Sequence, residues 1–172
     1  MLSQTSRQEI LRKMTVKAGF VVTEEKLTPA TRQAITNLAT VQRHLYVVLE
    51  ILRGEQSRIE RSTILTATSK IGMGSERAER ATLTDEVKKL QVDIENKIGD
   101  LVNQVMAEQN AIQSGQPPPT YKGNLELVQL KCPSCGASLP IPTSQYIQCQ
   151  FCKTTFTIGE VSAQIRSMIQ SI

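Results

Sequence analysis

The chain has 172 residues, a formal net charge of +4, three phenylalanines, three tyrosines and no tryptophan. That composition suits one elongated helical domain plus a small module and leaves too little aromatic material for a large enzyme core. No window approaches 18 uncharged apolar residues, and no basic stretch followed by an apolar one opens the chain, so neither a membrane span nor a signal peptide is expected and the sequence reads as a soluble, cytoplasmic protein.

Ser6-Arg7-Gln8-Glu9 has the form of a capping box, in which the serine hydroxyl and the glutamate each satisfy a free amide of a first helical turn, so a helix is predicted to start there. Ile10, Leu11, Met14, Ala18, Val21 and Val22 follow at three-four spacing, with Gly19 weakening the final turns and an end expected between Phe20 and Lys26. Thr28-Pro29 is a second start signal, because proline at the first helical position gives up an amide hydrogen that would have no partner anyway. The helix after it is expected to reach about Arg53 and to stop at Gly54, with Ile35, Leu38, Leu45, Leu49 and Leu52 forming a seam that Val41 and Val48 widen. Gln42 is expected at the rim of that seam, and His44, the only histidine, as a partly exposed residue.

From Glu55 to about Lys70 the apolar pattern thins, and Ile71-Gly72-Met73-Gly74-Ser75 reads as a turn between helices. Thr84 is predicted to cap the longest helix, with Asp85 and Glu86 in its first turn against the positive end of the helix dipole. Val87, Leu90, Ile94, Ile98, Leu101, Val105 and Ile112 make a narrow stripe along it. Such a stripe has to be covered, either by a helical hairpin folded on itself or by an intermolecular coiled coil, and both remain open at this point. Residues 1–113 are thus read as a helical or coiled-coil domain. Residues 114–124, with three successive prolines at Pro117, Pro118 and Pro119, are read as a semi-rigid linker.

All four cysteines fall beyond the linker in two identical spacings, Cys132-Pro133-Ser134-Cys135 and Cys149-Gln150-Phe151-Cys152, separated by 13 residues. A Cys-x-x-Cys turn aims two thiolates at one point. Two such turns brought together by a hairpin complete a closed set of four soft ligands, which suits one structural Zn²⁺. Iron in the same ligand set, disulfide pairing with a reversible redox switch as its variant, and unrelated buried thiols are the competing readings. Leu125 to Leu130 is predicted as a lead-in strand, Tyr146-Ile147-Gln148 as a strand into the second pair, and Thr154 to Ile158 as a strand leaving it. Gly136 follows the first pair where positive φ is needed. Tyr146, Phe151 and Phe156 are expected to fill the small core.

The run Lys131-Cys132-Pro133-Ser134-Cys135-Gly136, followed by Gln148-Cys149-Gln150-Phe151-Cys152-Lys153, resembles the zinc-ribbon family over residues 125–158. Lys153 stands where that family often has a second glycine. The resemblance implies a β zinc ribbon with Cys132, Cys135, Cys149 and Cys152 as metal ligands. Zinc ribbons occur in transcription factors, ribosomal proteins, polymerase subunits and adaptors, so the likeness speaks to the metal and not to one activity.

Residues 159–172 read as a short amphipathic helix beginning near Glu160, with Val161, Ile165, Met168, Ile169 and Ile172 on one side. The fold expected is therefore mainly α, with long helices, a small four-cysteine β zinc ribbon and a terminal helix. Basic charge gathers at the N-terminus, where residues 1–54 carry eight basic and four acidic side chains, while the ribbon carries few charges and lacks the dense basic face that phosphate neutralisation requires. The four thiolates leave no open position for a metal-bound water, and no nucleophile-base motif stands elsewhere, so catalytic residues are not expected. The function expected is a non-enzymatic adaptor or scaffold that self-associates, most simply as a homodimer, and docks a protein. The alternative is a nucleic-acid- or ribonucleoprotein-binding factor associated with transcription or the ribosome. Membrane contact is not expected.

Overall fold

The computed structural model describes residues 2–65 and 73–172, with side chains described from Ser6 to Arg58 and from Arg77 onward. The described residues form four α-helices and one two-stranded sheet: α1 (Leu2–Ala18), α2 (Pro29–Leu65), α3 (Met73–Gln113), β1 (Tyr146–Gln148), β2 (Thr155–Thr157) and α4 (Ile158–Ser171), with a short 3-10 turn at Glu24–Lys26. No helix among them is long and apolar enough to cross a membrane.

The chain divides into two compact units. The first comprises the chain up to Arg43, Val92–Gln129 and Arg166–Ile172, and the second the described parts of His44–Gln91 and Leu130–Ile165.

In the first unit α1 begins at Leu2, so Ser6 lies inside the helix and is buried there instead of capping it. The end also differs from expectation. Gly19 takes a φ of 75° and its amide returns to the Thr15 carbonyl at 3.1 Å, which makes it the C-terminal cap and stops the helix before Phe20. The start of α2 is as read: Pro29 is its first residue, and the Thr28 hydroxyl accepts the Thr31 amide at 3.3 Å. Ile10 and Met14 of α1, Ile35, Leu38 and Val41 of α2, and Ile94, Ile98, Leu101 and Val105 of α3 are all buried.

The next position on the α3 stripe is Glu108, not an apolar residue, and it is only 2% exposed. Its Oε1 accepts hydrogen bonds from the hydroxyls of Thr31 (2.6 Å) and Thr28 (3.0 Å) and from Gln104 Nε2 (3.0 Å), so the carboxyl group closes over the first turn of α2. One turn further, Ile112 is 60% exposed and outside the stripe to which its spacing assigned it. A Schellman motif then ends α3: Gly115 has φ 68°, the Gln116 amide reaches the Ala111 carbonyl at 2.8 Å and the Gly115 amide that of Ile112 at 3.2 Å.

The expected strand at Leu125–Leu130 is absent. Asn124 Oδ1 accepts the Glu126 amide at 2.8 Å, bending the chain, and the fully buried Asn37 supplies a partner from α2, its Nδ2 donating to the carbonyls of Glu126 (2.8 Å) and Asn124 (3.3 Å). A side-chain amide has taken the place of a strand neighbour.

In the second unit the α2 seam continues through buried Leu45, Val48, Leu49 and Leu52, and α3 contributes buried Val87 and Leu90. His44 is buried, against expectation, because Val41, His44 and Val48 recur at three-four spacing and share a face. Gln42, in the first unit, is buried for the same reason, between Leu38 and Leu45 in spacing, and not at a rim. Gly54 does not end α2, which runs through it to Leu65. A lone glycine in a helix costs about 1 kcal/mol but stops nothing by itself. Thr84 likewise caps nothing: α3 starts at Met73, and the Thr84 hydroxyl bonds the Arg80 carbonyl one turn back at 2.8 Å. Of the turn predicted at Ile71–Ser75, Ile71 and Gly72 lie outside the described residues, whereas Met73, Gly74 and Ser75 are already helical.

β1 and β2 pair antiparallel with Ile147 opposite Phe156, and these two side chains are the buried pair of the hairpin. The helix expected near Glu160 begins earlier, at Ile158, directly after β2. Thr157 and Glu160 form a reciprocal capping box there: Thr157 Oγ1 accepts the Glu160 amide at 3.3 Å and Glu160 Oε2 accepts the Thr157 amide at 2.7 Å. Val161 and Ile165 point the apolar side of α4 into this unit's core.

Candidate metal centre

The two cysteine turns are built alike, bond for bond. In the first, the Cys132 carbonyl accepts the Gly136 amide at 2.8 Å and the Cys132 amide donates to the Ala137 carbonyl at 2.7 Å. In the second, the Cys149 carbonyl accepts the Lys153 amide at 3.0 Å and the Cys149 amide donates to the Thr154 carbonyl at 2.9 Å. Both need a left-handed residue after the second cysteine, supplied by Gly136 with φ 74° and by Lys153 with φ 62°. Lys153 is strained by its Cβ in that conformation and is held by its own Nζ, which donates to the Gln150 carbonyl at 2.7 Å. Around the first turn, the Leu139 amide bonds the Leu130 carbonyl at 2.8 Å, Lys131 bridges Ser138, and Gln164 of α4 clamps the Lys131 amide (3.0 Å) and carbonyl (2.8 Å).

These turns bring Cys132, Cys135, Cys149 and Cys152 together with all four sulfurs within 4.8 Å of one another. Cys132 and Cys152 are 3.5 Å apart and Cys135 and Cys149 3.7 Å. A tetrahedral ion with metal–sulfur bonds of about 2.3 Å sets its sulfurs about 3.8 Å apart. The set can therefore hold one metal ion, and no other residue is needed to close it.

The electrostatics point the same way. Hydrogen bonding from the Thr154 side chain, 3.2 Å away, and from its amide draws the Cys152 thiol down to about 6. The amides of Cys152 and Phe151 lower Cys149. The Ala137 amide pulls Cys135 down as well, but sharing protons with Cys132, Cys152 and Cys149, together with desolvation, leaves it pushed up to about 12. Four sulfurs this close cannot all be anionic on their own, and a bound dication removes the conflict by replacing the protons.

Of the three aromatic side chains expected in the core, only Phe156 is there. Tyr146 is 63% and Phe151 75% exposed. Tyr146 occupies the outward position of an alternating strand, and Phe151 stands inside the second Cys-x-x-Cys turn. In the same unit a cavity of about 460 Å³ is lined by Leu52, Gln56, Arg77, Arg80, Thr84 and Lys88, but Arg80 faces Glu55 at 3.7 Å and Lys88 pairs with Asp85 at 3.2 Å, so much of its positive charge is already answered.

No family model matches the chain, and neither curated proteins nor solved structures yield a match.

Proposed function

We propose that the protein is a non-enzymatic adaptor whose C-terminal module is a zinc ribbon, with one structural Zn²⁺ held by Cys132, Cys135, Cys149 and Cys152. The observation that carries this reading is the pair of equivalent turns converging four thiols within 4.8 Å. Four sulfur ligands saturate a tetrahedral ion, so the metal would organise a surface and leave no position for substrate. In this reading the helical part sets spacing, residues 114–124 connect, and the ribbon with residues 159–172 docks a macromolecule, a protein by preference.

Self-association is part of the proposal. The stripe side chains are already buried within one chain, so a homodimer would use apolar residues left outside, such as Val92 and Ile112 on α3, which are 59% and 60% exposed. Light scattering at micromolar concentration is expected to give a dimer mass, and a monomer would remove this element.

A nucleic-acid or ribosome-associated role is the second reading. Exposed Tyr146 and Phe151 favour it, since they could stack on bases, and residues 130–158 contain Lys131 and Lys153 with no acidic residue. Capture of partners by the tagged protein from its own cells, with nuclease treatment before elution, separates the two. Protein partners that persist after nuclease and at raised salt support the adaptor. Binding that disappears with nuclease, falls steeply with salt and weakens in Lys131→Ala/Lys153→Ala supports the rival.

A further inference from the structure

Cys135 and Cys152 are exposed, whereas Cys132 and Cys149 are buried. Two close sulfur contacts each join an exposed cysteine of one turn to the buried cysteine of the other. We propose that the metal centre is also an oxidation site, at which an exposed sulfur attacks a hydroperoxide and the buried sulfur across the hairpin resolves it, giving the cross-turn disulfides Cys132–Cys152 and Cys135–Cys149. The inference rests on the metal reading for what is released, but its disulfide pattern is a property of the chain alone.

The chemistry balances with hydrogen peroxide as oxidant. The exposed thiolate takes one oxygen, becoming a sulfenic acid as the O–O bond breaks and hydroxide leaves. The buried thiolate then attacks that sulfur, forming the S–S bond and expelling a second hydroxide. Each disulfide oxidises two thiolates by two electrons and reduces one peroxide, so the pair of disulfides consumes two peroxides and all four thiolates. A metal ion held by these four sulfurs would lose its ligands and be released.

Geometry places the cross-turn product within reach. Contacts of 3.5 and 3.7 Å have to close to about 2.05 Å, a movement of roughly 1.5 Å. The bonds that shape the turns, Gly136 to Cys132 and Lys153 to Cys149, are between backbone atoms, and the Ile147–Phe156 pair is apolar, so none of them is consumed by the oxidation. A link from residue 132 to residue 152 ties the two turns together as the metal would. A disulfide within one turn would leave them untied.

The test uses the purified full-length chain. Metal content is measured first, then hydrogen peroxide is added in the presence of a chromogenic chelator, and disulfides are mapped by mass spectrometry under non-reducing conditions. Expected are loss of about one equivalent of metal, Cys132–Cys152 and Cys135–Cys149 as the main disulfides, dispersed β1 and β2 amide resonances in the oxidised protein, and recovery of metal binding after dithiothreitol and zinc. Main products within single turns, Cys132–Cys135 and Cys149–Cys152, would overturn the proposal, as would irreversible sulfinic acids or metal and thiols that survive peroxide intact. A chain that carries no metal as purified counts against the metal reading, while its disulfide map still decides the cross-turn pairing.

Discussion

Replacing Glu108 by leucine should destabilise the first unit far more than an ordinary charge removal would, although leucine continues the apolar stripe of α3. The side chain is 2% exposed, and its Oε1 collects three donors, two of them hydroxyls on the first turn of α2. Thr31 is fully buried, so without Glu108 its hydroxyl has only the Thr28 oxygen at 3.2 Å to turn to. A buried donor left poorly satisfied costs about 1–3 kcal/mol and each of the two further lost hydrogen bonds about 1 kcal/mol, which totals roughly 3–5 kcal/mol. Leucine's added apolar contact offsets part of this, leaving an expected loss of about 2–3 kcal/mol. Thr31→Val alone should cost about 1–2 kcal/mol, and the double variant Glu108→Leu/Thr31→Val should cost less than the sum by about 1–2 kcal/mol, because the second change removes the donor that the first one orphans. Urea unfolding followed by circular dichroism measures all three. Additive losses, or a Glu108→Leu protein as stable as the parent, would show that the carboxyl group does not hold the Thr28 and Thr31 hydroxyls in place.

Lys153→Gly should raise the melting temperature, since it relieves a left-handed residue at a cost of about 1 kcal/mol, while Gly136→Ala should lower it by creating the same strain in the other turn. Thr157→Ala should lose about 1 kcal/mol through the α4 cap, and Glu160→Ala should still cost a further fraction of that on the same background, because its carboxyl group holds the backbone amide of residue 157. Glu95 is held below the usual carboxylate range, first by its hydrogen bond from Lys13 at 2.5 Å, against desolvation, and then by the charges of Lys13 and Lys17. Its folded-state pKa lies below the unfolded one, so its contribution is complete above the ordinary carboxylate value and is lost as pH falls through the depressed value. Because the group is partly exposed, the loss is below about 1 kcal/mol, and the difference between parent and Glu95→Gln in acid melts should shrink as pH drops.

What was legible in the sequence follows from which interactions are local. The Thr28-Pro29 start, the β1 and β2 strands, Gly136 and the clustering of the four cysteines each depend on a few adjacent residues and came through. Gly54 and Thr84 misled because both residue types also sit inside helices when their neighbours are strong helix formers. Ser6 to Glu9 misled because a capping box is also an ordinary run of helical residues. Gly19 did end its helix, but as a left-handed cap, which the apolar spacing of Val21 and Val22 hid. The lead-in strand failed for a non-local reason: Asn37, 87 residues before Asn124, supplies the hydrogen bonds that a neighbouring strand would have made. Glu108 could have been found from its register three residues after Val105, since a carboxylate on an apolar stripe needs donors. The Thr157-x-x-Glu160 capping box was present in the chain but overshadowed by Gly159.

The metal content of the chain tests the central reading most directly. Protein purified without added metal, examined by native mass spectrometry and elemental analysis, is expected to carry one zinc per chain, and Cys149→Ser is expected to lose both the zinc and the dispersed β1 and β2 resonances, because a two-stranded hairpin this small would draw on metal-binding free energy of roughly 10–16 kcal/mol to stay folded. A metal-free chain with an intact hairpin, or a Cys149→Ser protein that keeps its β1 and β2 resonances, would contradict it.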